Sequence, residues 1–82
     1  MSKKVTFADL RHLLEDLGFR TLRRPPHVIF THEPSDTIIP LRGYRSTEAV
    51  RPVDLAAVKF MLDQRGLMET AAFERALLTA DT

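Results

Sequence analysis

The chain has no cysteine. That excludes a disulfide framework, a thiolate metal site and a cysteine nucleophile, and it fits a reducing cytosol, so a cytoplasmic location is expected. Glycine is scarce, with three residues spread over positions 18, 43 and 66. No Gly-rich phosphate loop can be built from them, and HExxH, nucleophile-elbow and dinucleotide fingerprints are also missing. No apolar run approaches the ~18 residues of a membrane span. Lys3-Lys4 leads into no long apolar stretch, so neither a signal peptide nor membrane association is expected. Repeats and low-complexity tracts are absent. Net charge is only +1, which by itself excludes the strongly basic class that tracks along duplexes.

What is present reads as one small domain. The 82 residues are enough for one modest core and leave little for a deep pocket. The charge is unevenly spread. Residues 1–51 hold nine Lys and Arg against six Asp and Glu, a net +3, and residues 52–82 hold three against five, a net −2. The basic side chains Arg20, Arg23, Arg24, Arg42, Arg45 and Arg51 gather around segments that read as strands. A mildly basic face of this kind suits short contacts with RNA; its plain alternative is a solvated surface.

Thr6-Phe7-Ala8-Asp9 resembles a capping box, with Val5 and Leu10 placed as a hydrophobic staple. Phe7, Leu10, Leu13, Leu14 and Leu17 follow at helical spacing, His12 falls on the polar side, and Gly18 stops the helix. Three short strands are expected next, over residues 19–23, 27–32 and 37–41, with Pro40 marking an edge or bulge. Their connections are too short for parallel crossovers, so the strands form an antiparallel meander. Residues 42–50 read as a polar loop. A second helix starts at Pro52 and carries Leu55, Val58, Met61 and Leu62 on one stripe, with Phe60 and Met61 taken as core; Gly66 ends it. A third helix is expected over 69–80, with Phe73, Ala76, Leu77 and Ala80 on one face. The order is α-β-β-β-α-α, an α+β layer: a three-stranded antiparallel sheet with helices packed on one face.

His27 heads the second strand in Arg23-Arg24-Pro25-Pro26-His27-Val28-Ile29-Phe30. A histidine can take or give a proton near neutral pH, and arginines beside it attract phosphate. Alternation places His27 and His32 on opposite faces, so they cannot share a metal, and no metal or cofactor is expected. By the same rule Arg23 and Arg24 point to opposite faces, and at most one joins His27. Both arginines also suit a gatekeeping role at a sheet edge. Ser35 and Ser46 lie in loops with no evident base beside them.

These marks occur in an order that resembles the HicA toxin family, small mRNA interferases on a double-stranded-RNA-binding-like fold. The resemblance spans about residues 5–67. An opening helix ends in Leu17-Gly18-Phe19, where the family has Gly and an aromatic residue. His27-Val28-Ile29-Phe30 matches the strand that begins with the family's histidine. His32-Glu33-Pro34 is similar to its His-Pro turn, Ile39-Pro40 to its Val-Pro, and Arg65-Gly66-Leu67 to its Ala-Gly-Leu. The resemblance implies that His27 is catalytic in metal-free cleavage of mRNA and that a HicB-type antitoxin is the protein partner. It leaves residues 1–67 as the HicA-like α-β-β-β-α domain and 68–82 as a C-terminal helical extension, packed on the domain or used for a homodimer. Arg23, Arg24, Arg42 and Arg45 are the candidate RNA-binding side chains, with Tyr44 free to stack on a base. Where the family has Gly-Ser before the histidine, this chain has Pro25-Pro26, which supplies no N–H to a phosphate. A non-catalytic RNA- or protein-binding module on the same fold is the alternative reading.

Overall fold

The computed structural model describes residues 5–78. Helix α1 (Phe7–Asp16) starts as its sequence prescribes. The Thr6 amide donates to Asp9 Oδ2 at 3.1 Å, and the Asp9 amide donates to Thr6 Oγ1 at 3.2 Å. Val5 and Leu10 are both buried beside this capping box. The helix ends in a Schellman motif, with Gly18 at φ +101°. Gly18 donates to the Glu15 carbonyl and Phe19 to the Leu14 carbonyl, and buried Phe19 and Leu14 bring apolar side chains to both ends of that bond. Gly66, at φ +69°, closes α2 (Pro52–Gln64) by the same pattern.

Strands β1 (Arg20–Arg24), β2 (His27–His32) and β3 (Thr37–Arg42) form an antiparallel sheet in the order β1-β2-β3. The α+β layer expected from the sequence is what the chain adopts. Three strand ends differ from the expectation. β1 is shifted one residue along at both ends, which brings Arg24 into the sheet, and β3 runs one residue further, taking Arg42 out of the loop and into the sheet. Val28, Phe30, Thr37, Ile39 and Leu41 turn to the helical layer and are buried. Phe7 lies between Phe30 and Tyr44, with ring centroids 5.8 Å away on each side. Each large apolar side chain so buried contributes about 1.5–3 kcal/mol.

Helix α3 (Thr70–Leu78) packs into the same core through Phe73 and Leu77. Lys59 Nζ and Glu74 Oε2, 2.9 Å apart, link it to α2. Both side chains are partly solvated, so the pair contributes at most about 1 kcal/mol. The expected last turn of this helix, to residue 80, lies outside the described residues.

Phe60 is a correction. It is 60 % exposed, whereas Val58 and Leu62 on either side of it are fully buried. At 3.6 residues per turn, a position two residues from both core contacts falls on the far side of the helix. Met61 does pack against the core. No helix among the described residues is long and apolar enough to cross a membrane.

Candidate nucleic-acid interface on the open sheet face

The sheet register decides which of the candidate residues meet. Arg24 is the cross-strand partner of His27 on one side, and Arg42 is its partner on the other. Residues directly opposite each other share a face, with Cβ atoms about 5 Å apart. Arg24, His27 and Arg42 therefore stand in one row on the face that carries no helix. All three side chains are exposed. The next rows along the strands are Leu22–Ile29–Pro40 and then Arg20–Thr31–Ile38. An apolar strip thus separates the His27 row from a single further arginine. Rows two residues apart lie about 6.6 Å from each other, so Arg20 stands about 13 Å from the His27 row.

The His27 side chain makes no hydrogen bond among the described residues and is exposed, so both ring nitrogens are open to a ligand. The other candidate arginines are near but not in the row. Arg23 takes the opposite face, as alternation requires, and Arg45 follows the end of β3. Both line a shallow groove of about 400 Å³ with Pro25, Pro26 and His27. The groove is held in shape by one contact. Gly43 donates to the Pro26 carbonyl at 2.9 Å, and a Cβ at position 43 would lie only 3.0 Å from that oxygen. Any larger residue at 43 would crowd the backbone of the Pro25–Pro26 corner, whose peptide bond is cis.

Tyr44 does not join the site. It is 6 % exposed, its ring stacks on Phe7 at an interplanar angle of 16°, and its hydroxyl donates to Asp54. The Arg51 amide in turn donates to the Tyr44 oxygen at 3.1 Å. The expectation of a base-stacking Tyr44 is therefore corrected: its ring borders the groove but is almost wholly buried and already stacked on Phe7. Burial and the Asp54 hydrogen bond raise its pKa above the ordinary value of 10.0. The loop after β3 is correspondingly not free. Its Glu48 and Ser46 carbonyls accept from the Phe7 and Ala8 amides, and Val50 donates to Val5. Together with the capping box, these bonds use every exposed amide at the start of α1, so that helix end offers nothing to a phosphate.

The face opposite His27 carries a second polar chain that the sequence reading missed at Ser35. His32 Nδ1 lies 2.7 Å from Ser35 Oγ, which lies 2.6 Å from Thr37 Oγ1. His32 also packs against Phe19, with ring centroids 5.0 Å apart. Thr37 is 1 % exposed, so the chain pairs a buried hydroxyl and closes the β2–β3 connection. Ser35 sitting three residues after a strand-end histidine was the available signal. Among the described residues, no group of three or more His, Asp or Glu side chains stands close enough to hold a metal ion.

No family model, curated protein or solved structure matches this chain.

Proposed function

We propose that this protein is a metal-independent endoribonuclease of the mRNA-interferase type, acting through His27 on the open face of a double-stranded-RNA-binding-like fold. The observation that carries the reading is the row Arg24–His27–Arg42. A phosphodiester placed over His27 is within reach of a guanidinium from each side. His27 as general base takes the proton of the 2′-hydroxyl, whose oxygen attacks the adjacent phosphorus. The P–O5′ bond breaks, and the departing 5′-oxygen takes a proton from the imidazolium or from water. Arg24 and Arg42 offset the charge that builds on the phosphate oxygens. Under this reading the partner is a HicB-type antitoxin that occludes the row, and the setting is a type II toxin–antitoxin system.

The chemistry dictates its own test. Purified protein is expected to cut single-stranded RNA into products ending in a 2′,3′-cyclic phosphate and a 5′-hydroxyl. The same oligomer with 2′-O-methyl groups, or made as DNA, should stay whole because the nucleophile is gone. Cleavage of the methylated strand would remove the mechanism.

One observation favours a binding module instead. The corner preceding His27 is Pro25-Pro26, with no N–H to hold phosphate, and among the described residues no second proton carrier hydrogen-bonds to the His27 ring. On that reading RNA binds without being cut. Arg24→Ala and Arg42→Ala should each then lower the slope of log affinity against log salt by about 0.7–1, with little change in sequence preference. Filter binding across a salt series measures it, and unchanged slopes would take both arginines out of the interface.

A further inference from the structure

The two edges of the sheet differ, and the difference follows from one hydrogen bond. The Gly43 amide donates to the Pro26 carbonyl across the extended β2–β3 register. In an antiparallel ladder bonded pairs alternate, so Val28, Phe30 and His32 turn their backbone groups to β3, and His27, Ile29 and Thr31 turn theirs to β1. On β3 the outward positions are then Ile38, Pro40 and Arg42. Pro40 has no N–H, so this edge is interrupted at its centre. On β1 the outward positions are Thr21 and Arg23, which offer two N–H and two C=O groups at strand spacing. None of these four groups takes part in a backbone hydrogen bond outside the sheet among the described residues.

Charge then selects the occupant. β1 reads Arg20-Thr21-Leu22-Arg23-Arg24, and its three arginines form no ion pair among the described residues. A second copy is disfavoured there. Antiparallel pairing of β1 with itself about Leu22 would set Arg20 opposite Arg24 twice over, and like charges directly opposite are destabilising. A nucleic acid would use the guanidinium groups and leave the amide–carbonyl pairs empty. An extended peptide uses both.

We propose that β1 is a docking edge for an acidic extended segment of a partner protein, which adds to the sheet as a fourth strand. Its backbone pairs with Thr21 and Arg23, and carboxylates on both of its faces meet Arg20, Arg24 and Arg23. This docking edge does not depend on whether His27 cleaves RNA.

The probe is a fluorescein-labelled nine-residue peptide of three Glu-Glu-Thr repeats, whose adjacent glutamates put carboxylates on both faces of an extended strand, with a lysine-for-glutamate copy as its control. Anisotropy at low salt should show saturable binding of the glutamate peptide alone. Amide shifts in 15N-labelled protein should be largest at Thr21 and Arg23 and small along β3. Replacing Arg20 and Arg23 together by glutamate should transfer the preference to the lysine peptide. Thr21→Pro, which removes an outward donor from an edge strand, should weaken binding about tenfold. Thermal melting checks that each variant is folded, and the charge reversal stands if Thr21→Pro does not fold. No saturation up to about 1 mM peptide would overturn the proposal. So would shifts centred on β3 or α2, or a charge-reversed edge with an unchanged preference. An RNA oligomer that alone moves the Thr21 and Arg23 amides would assign the edge to nucleic acid instead.

Discussion

His27→Ala is expected to lower the rate of RNA cleavage by about 10²–10⁴-fold, the usual contribution of a positioned general acid or base. In cells, induced wild-type protein should arrest growth with loss of mRNA, and the variant should do neither. The fold should be indifferent. The His27 side chain is exposed and has no hydrogen-bond partner among the described residues, so stability should stay within about 0.5 kcal/mol of wild type. The loss should fall on kcat with KM nearly constant, because in the proposed mechanism Arg24 and Arg42 hold the phosphate and the proton transfer counts only in the transition state. Arg24→Ala should behave differently, raising KM and flattening the salt dependence. A fully toxic His27→Ala protein would end the assignment of His27. An inert wild type, binding RNA without cutting it, would favour the binding module.

The row around His27 shows where sequence reading reaches its limit. Alternation alone told that only one of Arg23 and Arg24 shares a face with His27. Which one it is depends on the register, and the register depends on the Pro25–Pro26 corner taking two residues. Arg42 was read as loop because Pro40 ends most strand patterns. It belongs to β3 because Pro40 lies on the edge with its missing N–H pointing outward, where it costs the ladder nothing. The capping box and the two glycine stops were legible because they are local, each completed within four or five residues. Phe60 was not, since α2 carries apolar side chains around most of its circumference and its periodicity does not say which side faces the core. Tyr44 and the loop around it were misread for a related reason. Their partners, Phe7 and Asp54, are far along the chain, and a polar composition hides a tertiary strap.

Tyr44 is therefore a position where substitution should be costly. Tyr44→Ala removes an aromatic ring stacked on Phe7 in the main core and should cost about 3–5 kcal/mol, a large share of the stability of a domain this small. Tyr44→Phe keeps the ring and deletes only the hydroxyl. It leaves the Asp54 carboxylate without its donor and the Arg51 amide without its acceptor, at a cost of about 1–3 kcal/mol. Urea unfolding of the two variants measures both costs. A base-stacking tyrosine would give the reverse pattern, with stability intact and RNA affinity lost in Tyr44→Ala. The hydroxyl also fixes a pH dependence. Its pKa is raised in the folded protein, so the neutral form is the one the fold favours. The stability it lends is fully present below pH 10.0, the unfolded value, and is lost as pH rises through the higher folded value. Tyr44→Phe should flatten that part of the stability profile, since the titrating group at the strap is gone. A wild-type profile that Tyr44→Phe leaves unchanged above pH 10.0 would place the hydroxyl in solvent and undo the strap.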